Sequence, residues 1–438
     1  MPWLLTDLGP TPSTSSDCVR QLTHAGQFAR RSRALQVLAW QRVSSTNRLV
    51  SHVLLSGGAT MPIACGLELL SGNRMVALGA LDAGCRFFSG YPITPSSEIY
   101  QAMMEELPAR GGLALAAPDE ITALAYCVGA SLAGHKAMTA TSGPGWCLMI
   151  ETAQYAVMTE TPVVIAVVQR LGPSTGGATQ GGQGDVLLTQ FFTSGGYTIP
   201  VLAPSNSREC YELTQAALYW SEHLRTPVIL LSDKEVGMTA ETVDLDSLNR
   251  WPVIERKSFL SSSARFRTYA CNGLEEPPDF APVGGLTRVV ATGSVHDQEG
   301  QLRKNAPEVL ELLIHLQAKI DAHAAEMALV EEETCANAEF LVLSYGITAR
   351  AARAAARQLR AAGRPAAFLQ LKTLFPVPKT AVLRAAAGCK RVVVVEENLT
   401  GQYASILESV VGPDRLVRVN GIGHMITPGE IVERAEAT

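Results

Sequence analysis

Between residues 86 and 232 one pattern repeats: an apolar run of four to six residues, then a stretch with helical periodicity. Arg86–Ser89, Leu113–Ala117, Ala137–Thr141, Val163–Val168 and Pro227–Ser232 read as strands. Ser71–Ala83, Ser96–Leu107, Ile121–Leu132, Gly145–Thr159 and Tyr211–Trp220 read as helices. Val163–Val168 has no polar residue at any position, so neither face of that strand can meet water. Strands covered on both faces belong to a parallel sheet between helical layers, and the fold class is α/β. A second unit of this kind starts near Phe340, with strands Phe340–Ser344, Pro365–Leu371 and Arg391–Glu396 and an Ala/Arg-rich helix Ala349–Ala362.

The stretch between the two units is less regular. Glu275-Glu276-Pro277-Pro278 and Gly284-Gly285 mark loops, and Pro307–Ala325 is helical. The first sixty residues hold six arginines and two acids, with much Ser and Thr, and suit either a transit peptide or an extension upstream of Met61. The organisation expected is an N-terminal extension over 1–62, an α/β domain over 63–255, a linking segment over 256–334 and a second α/β domain over 335–438.

Composition excludes several classes. Hydrophobic residues make up 47% and charged residues 18%, enough apolar material for packed cores. A net charge of -5 without a basic block argues against nucleic acid as a partner. No apolar run reaches the ~20 residues that span a bilayer, so no membrane association is expected. Nine scattered cysteines include no Cys-x-x-Cys, so local spacing offers neither a zinc knuckle nor an iron–sulfur cluster, and no metal site is assigned. Thiols among apolar residues fit a reducing, cytoplasmic setting.

Four segments could carry chemistry. In Gly90–Glu98, Thr94 suits an N-cap and Pro95 a first helical turn, which would aim a helix N-terminus at an anion; a plain capped helix explains the same residues. Asp119-Glu120 ends a strand and starts a helix, either complementing the helix dipole or placing a carboxylate at the carboxyl end of a parallel strand. In Thr139–Gly145, Gly143 and Gly145 allow close backbone approach to a ligand, and the lack of a lysine excludes a nucleoside triphosphate loop. Arg170 directly follows an apolar strand, placed for bidentate capture of a carboxylate or phosphate, and the glycine-rich loop after it suits a lid.

Taken together, Gly90–Glu98, Asp119-Glu120, Thr141–Gly145 and Gln169–Gly176 resemble the alpha subunit of the 2-oxoacid:ferredoxin oxidoreductases, which use thiamine diphosphate. The resemblance is densest over Leu69–Met238. It continues more weakly over Phe340–Ile431, through Ser344-Tyr345-Gly346, Leu374-Phe375-Pro376 and Glu396-Glu397-Asn398.

The resemblance implies a pyrimidine-binding domain followed by a transketolase C-terminal-like domain. It implies that Glu120 contacts the aminopyrimidine of the cofactor, where a carboxyl can exchange a proton with the ring nitrogen. Thr141, Ser142 and Gly143 would lie beside the cofactor. Thr94 and Arg170 would hold the carboxylate and carbonyl of a 2-oxoacid, with Ile93, Pro95 and Thr175 adjoining. No Gly-Asp-Gly occurs, and Gly184-Asp185-Val186 is the nearest approach to that diphosphate motif. A beta subunit would therefore bring the diphosphate site, Mg2+ and a [4Fe-4S] cluster. Coenzyme A and ferredoxin complete the expected reaction, and gamma or delta subunits are compatible with it.

2-Oxoglutarate is the first choice of substrate, with pyruvate, branched-chain 2-oxoacids and indolepyruvate left open. No extra basic residue for a second carboxylate occurs in 176–186. A non-oxidative decarboxylase half and a non-catalytic structural or regulatory subunit are the readings of other classes.

Overall fold

The apolar runs form the central strands of two sheets in the computed structural model, which describes residues 66–260 and 265–437. The expectation for residues 1–62 lies outside the described residues. In chain order the strands are β1 (Leu67–Ser71), β2 (Phe87–Gly90), β3 (Leu113–Ala116), β4 (Ala137–Thr141), β5 (Val163–Gln169), β6 (Val201–Leu202) and β7 (Pro227–Asp233). They continue as β8 (Ala240–Asp244), β9 (Val330–Glu333), β10 (Phe340–Tyr345), β11 (Ala366–Leu371), β12 (Thr373–Phe375), β13 (Arg391–Glu396) and β14 (Leu416–Asn420). A seven-stranded sheet has the order β12-β6-β7-β5-β4-β2-β3, a five-stranded sheet the order β14-β13-β10-β11-β9, and β1 pairs with β8.

Side-chain alternation explains why the central strands carry no polar face. Val163, Ile165 and Val167 enter one core, while Val164, Ala166 and Val168 enter another. In β13, Val392 and Val394 face the first of these cores and Val393 and Val395 a third. The first core is shared by both sheets, joining Trp146, Ile165 and Leu231 to Leu343, Leu369 and Tyr403. The helix Thr348–Ala361 buries Ala349, Ala352, Ala355 and Ala356. Its arginines have a use as well: Arg353, Arg357 and Arg360 all pair with Glu333 of β9.

Two edge strands cross the expected domain limits. β9 comes from the span read as a linking segment, yet it pairs antiparallel with β11, Phe368 opposite Glu333. β12 comes from the second unit but lies antiparallel to β6, Thr373 opposite Leu202, and closes one edge of the first sheet. No helix among the described residues is long and apolar enough to cross a membrane.

Candidate active site

The carboxyl ends of β5, β4, β2 and β3 lie side by side in the first sheet, and β4, the loop after it and the loops after the other three carry every expected site residue. Outside the carboxyl ends of parallel strands is where open α/β sheets bind ligands. Asp119 and Glu120 divide the roles foreseen for them. Asp119 is the N-cap of the helix Glu120–Leu132, its side chain accepting from Thr122 N at 2.7 Å. Glu120 is thereby left free of capping duty. It is only 7% exposed, and its carboxylate has no hydrogen-bond partner among the described residues.

The glycines of Ser142–Gly145 make room for side chains of this chain. A Cβ on Gly145 would stand 2.1 Å from Thr141 Oγ1 and 2.8 Å from Glu120 Oε1. Alanine in a helix is ordinarily better than glycine by about 1 kcal/mol. Gly145→Ala is nonetheless expected to lower the melting temperature, because overpacking costs about 1–3 kcal/mol, and to reduce turnover at least tenfold by displacing Glu120. A melt and a kcat measurement on one preparation check both. Thr141 and Ser142 are fully buried, and Ser142 Oγ has no partner.

Arg170 is 7% exposed and leaves β5 toward the loop after β2, where Nη1 donates to Thr94 O at 2.5 Å. Arg170 Nε is buried and unpaired, a donor held ready for an acceptor. Thr94 is not the N-cap that the sequence suggested. Ser96 donates through both N and Oγ to Ile93 O, closing a turn over Ile93–Ser96, and the helix starts only at Ser97. Thr94 is held in that turn, joined to buried Pro95 by a cis peptide, and acts on Arg170 through its carbonyl. Ile93 is half-buried next to it.

The loop after Arg170 folds on itself: Leu171 N donates to Gln180 O at 2.9 Å and Gly177 N to Leu171 O at 2.8 Å. Thr175 is exposed and does not line the cavity with Arg170, whereas Pro173 and Ser174 do. Past the loop, Gln183 enters the junction of the two sheets. Its Nε2 donates to Asp233 Oδ2 at 2.9 Å and its Oε1 accepts from Glu397 N at 2.9 Å. Asp233 also accepts from Gln169 Nε2 and from Ile347 N, and burial pushes its carboxyl up to about 8. Glu396 accepts from Tyr345 Oη and from the N–H groups of Tyr403 and Ala404, which cap the helix Gln402–Val411. Sequence reasoning missed Gln183 and Asp233. A polar residue ending the apolar strand β7 was the one local signal for the latter.

Between the two units lies a cavity of about 420 Å³, lined among others by Gly143, Arg170, Ser174, Asp185, Glu397 and Asn398. An unpartnered acid at the end of β3, with a glycine clearing space beside it, fits the aminopyrimidine end of thiamine. The diphosphate end is not matched: among the described residues no group of three or more His, Cys, Asp or Glu could hold a metal ion. Among the described residues the buried thiols Cys85, Cys127, Cys210 and Cys389 are free, and Cys147 is exposed.

Two α/β units that share one core, with an acid and a buried arginine at one sheet end, define an α/β protein with a ligand site of the kind parallel sheets build. Residues 78–314 match the family described as pyruvate flavodoxin/ferredoxin oxidoreductase, thiamine diphosphate-binding, and residues 338–429 match core domain II of pyruvate:ferredoxin oxidoreductase. The chain belongs to this family. It is 37% identical over 369 residues to the 2-oxoglutarate synthase subunit KorA of Methanothermobacter marburgensis, covering 83% of this chain and 97% of that one. It is 38% identical over 371 residues to the KorA subunit of Methanocaldococcus jannaschii, covering 84% and 99%. A solved 2-oxoglutarate:ferredoxin oxidoreductase from Magnetococcus marinus, with 2-oxoglutarate, coenzyme A and succinyl-CoA bound, superposes with a TM-score of 0.79 at 31% identity. That match covers 85% of this chain and 65% of the Magnetococcus chain.

Proposed function

We propose that the chain is the alpha subunit of a cytoplasmic 2-oxoacid:ferredoxin oxidoreductase. It takes 2-oxoglutarate to succinyl-CoA and CO2 and passes the electrons to ferredoxin. The observation that carries this reading is Arg170, buried, oriented by Thr94 O and with Nε unpaired, at the same sheet end as the unpartnered Glu120. The identity to two KorA subunits favours 2-oxoglutarate over other 2-oxoacids.

The chain's own groups have distinct tasks. Arg170 receives the carboxylate of the 2-oxoacid in a nearly dry site, where a fixed charge acts more strongly than in water. Thr94 O fixes the direction of its guanidinium. Glu120 holds and exchanges a proton at the aminopyrimidine nitrogen, while Thr141, Ser142 and Gly143 shape the wall beside it. Thiamine diphosphate, when bound, supplies the carbon nucleophile and takes up the electrons left when CO2 departs. A beta subunit holds the diphosphate through Mg2+ and carries the [4Fe-4S] cluster, with gamma or delta subunits accompanying it in some assemblies.

The test is co-purification with the beta subunit, then a panel of 2-oxoglutarate, pyruvate, 2-oxoisovalerate and indolepyruvate with coenzyme A and methyl viologen. The highest kcat/KM is expected for 2-oxoglutarate, and a complex that reduces viologen with none of them sinks the proposal. Arg170→Met is expected to raise KM ten- to hundredfold, since a hydrogen bond to a charged group contributes about 1.5–3 kcal/mol.

A further inference from the structure

The cavity near Arg170 holds one cation and two carboxyls. Its titratable lining consists of Arg170 at the end of β5, Cys147 on the helix Gly143–Met158, Asp185 at the end of the glycine-rich loop and Glu397 after β13. In the sequence Asp185 was no more than part of a failed diphosphate motif. In the fold it is held firmly: its N–H donates to Gln169 Oε1 at 3.0 Å, and Gln169 is itself bonded to Asp233. Its carboxyl is laid against the first turn of the helix Gly143–Met158. A Cβ on Gly143 would stand 2.6 Å from Oδ2 and 2.8 Å from Oδ1, so a glycine is needed there. Oδ2 is buried and has no hydrogen-bond partner, and neither has Arg170 Nε.

We propose that Asp185 takes up a proton when the 2-oxoacid enters and, as the neutral acid, donates a hydrogen bond to the substrate's carboxylate beside Arg170. This rests on the cavity being the 2-oxoacid site. An incoming 2-oxoglutarate brings two negative charges to a space whose single guanidinium already faces Asp185. Carboxylates sharing a site cannot all stay ionised. Asp185 is the one that presents a buried oxygen without a partner, whereas Glu397 Oε1 accepts from Ile426 N at 3.2 Å. A 2-oxoacid is a stronger acid than an aspartic side chain, so the proton goes to the protein. Asp185 is already poised for this: burial pushes it up to about 6, with Arg170 opposing. Glu397 is the competitor, pushed up to about 7 by burial, with Glu235 adding to the shift and His424 opposing it. A protonated carboxyl gains an O–H donor, and the substrate carboxylate beside Arg170 can accept from it. No bond other than O–H is made, and the proton comes from water.

The sign follows from linkage. Uptake of one proton on binding makes affinity fall as pH rises above the free-site value, by up to about tenfold per pH unit. The wild-type alpha–beta complex is therefore expected to show KM for 2-oxoglutarate rising by tenfold or more between pH 6.5 and pH 8. Asp185→Asn, permanently neutral and still a donor, should flatten that profile and bind more tightly than wild type at pH 8. The second readout needs no turnover. Thiamine-free complex mixed with 2-oxoglutarate in weak buffer with an indicator dye should take up close to one proton per site, and the Asn variant none. Wild-type complex that oxidises 2-oxoglutarate without taking up a proton overturns the proposal and leaves the function standing. A flat profile in Glu397→Gln, with Asp185→Asn unchanged, assigns the proton elsewhere and also overturns it. A complex that oxidises no 2-oxoacid overturns both readings.

Discussion

Glu120→Gln is expected to cut kcat of the assembled alpha–beta enzyme by about 10²–10⁴-fold, the range for losing a positioned proton-transfer group. The substitution keeps shape and volume. The amide still fits beside Gly145, where a Cβ would stand 2.7 Å from Glu120 Cγ, and Asp119 still caps the helix. The melting temperature is therefore expected to move little. No other acid is available for the task along the same loop, because the Asp119 carboxylate is committed to Thr122 N. Turnover within twofold of wild type, with the fold intact, would remove Glu120 from the chemistry and favour a structural role for the chain.

The second large effect concerns stability and lies far from the cavity. Glu160, in the turn after the helix Gly143–Met158, is 2% exposed, and its Oε2 accepts from Lys319 Nζ at 2.7 Å and lies 2.9 Å from His315 Nε2. Arg225 Nε donates to its carbonyl, while Arg225 Nη1 reaches Pro278 O. The Glu160 carboxylate thus ties the helix Pro307–Ala322 to the first unit, and Arg225 ties the irregular segment before that helix to the Glu160 backbone. Glu160→Gln leaves Lys319 buried without its counter-charge, and breaking such a pair from one side costs about 3–5 kcal/mol. The urea midpoint of the isolated chain should fall accordingly. Adding Lys319→Met should recover a large part, since removing both charges spares the uncompensated one.

The pH dependence of this cluster has a definite direction. Burial would lower His315, but hydrogen bonds to Cys271 and Glu160 and the Glu160 charge outweigh it and push it up to about 9. A histidine raised in this way contributes stability below its unfolded value of about 6.5 and loses it as pH climbs through 9. Burial would raise Glu160, but Lys319, His315 and Arg225 hold it far below the usual carboxylate range, so its contribution is kept until strongly acid pH. Lys319 is shifted down by burial and works against the histidine trend at alkaline pH. His315→Gln should flatten the decline in urea midpoint between pH 6.5 and 9.

What the sequence disclosed follows the range over which each interaction acts. β5 and β13 were plain because every residue of the run is apolar, a requirement each position states by itself. Helix starts at Gly72, Glu120 and Thr348 fell within a residue or two of their expected places. β6, β9 and β12 were missed because two to four residues carry no periodicity, and β1, β8 and β14, five residues each, were missed as well; the pairing of all six is decided by strands remote in sequence. The site divides along the same line. Arg170 could be singled out from its place after an apolar strand, and Glu120 from its place before a helix. The expectation that both serve one thiamine site with Thr94 rested on family resemblance, not on any spacing. Asp185 and Glu160 were out of reach of local reasoning, since what matters about them is contact with Gly143 and with residues 155 and 159 positions away.

The borrowed strand β12 has an effect on how this polypeptide can be divided. A fragment ending before residue 335 would leave β6, a two-residue strand, as a raw sheet margin with open amide and carbonyl groups, a template for sticking to other chains. A cut at the visually obvious boundary parts β6 from β12 and β9 from β11, so each piece loses a strand that the other piece supplies.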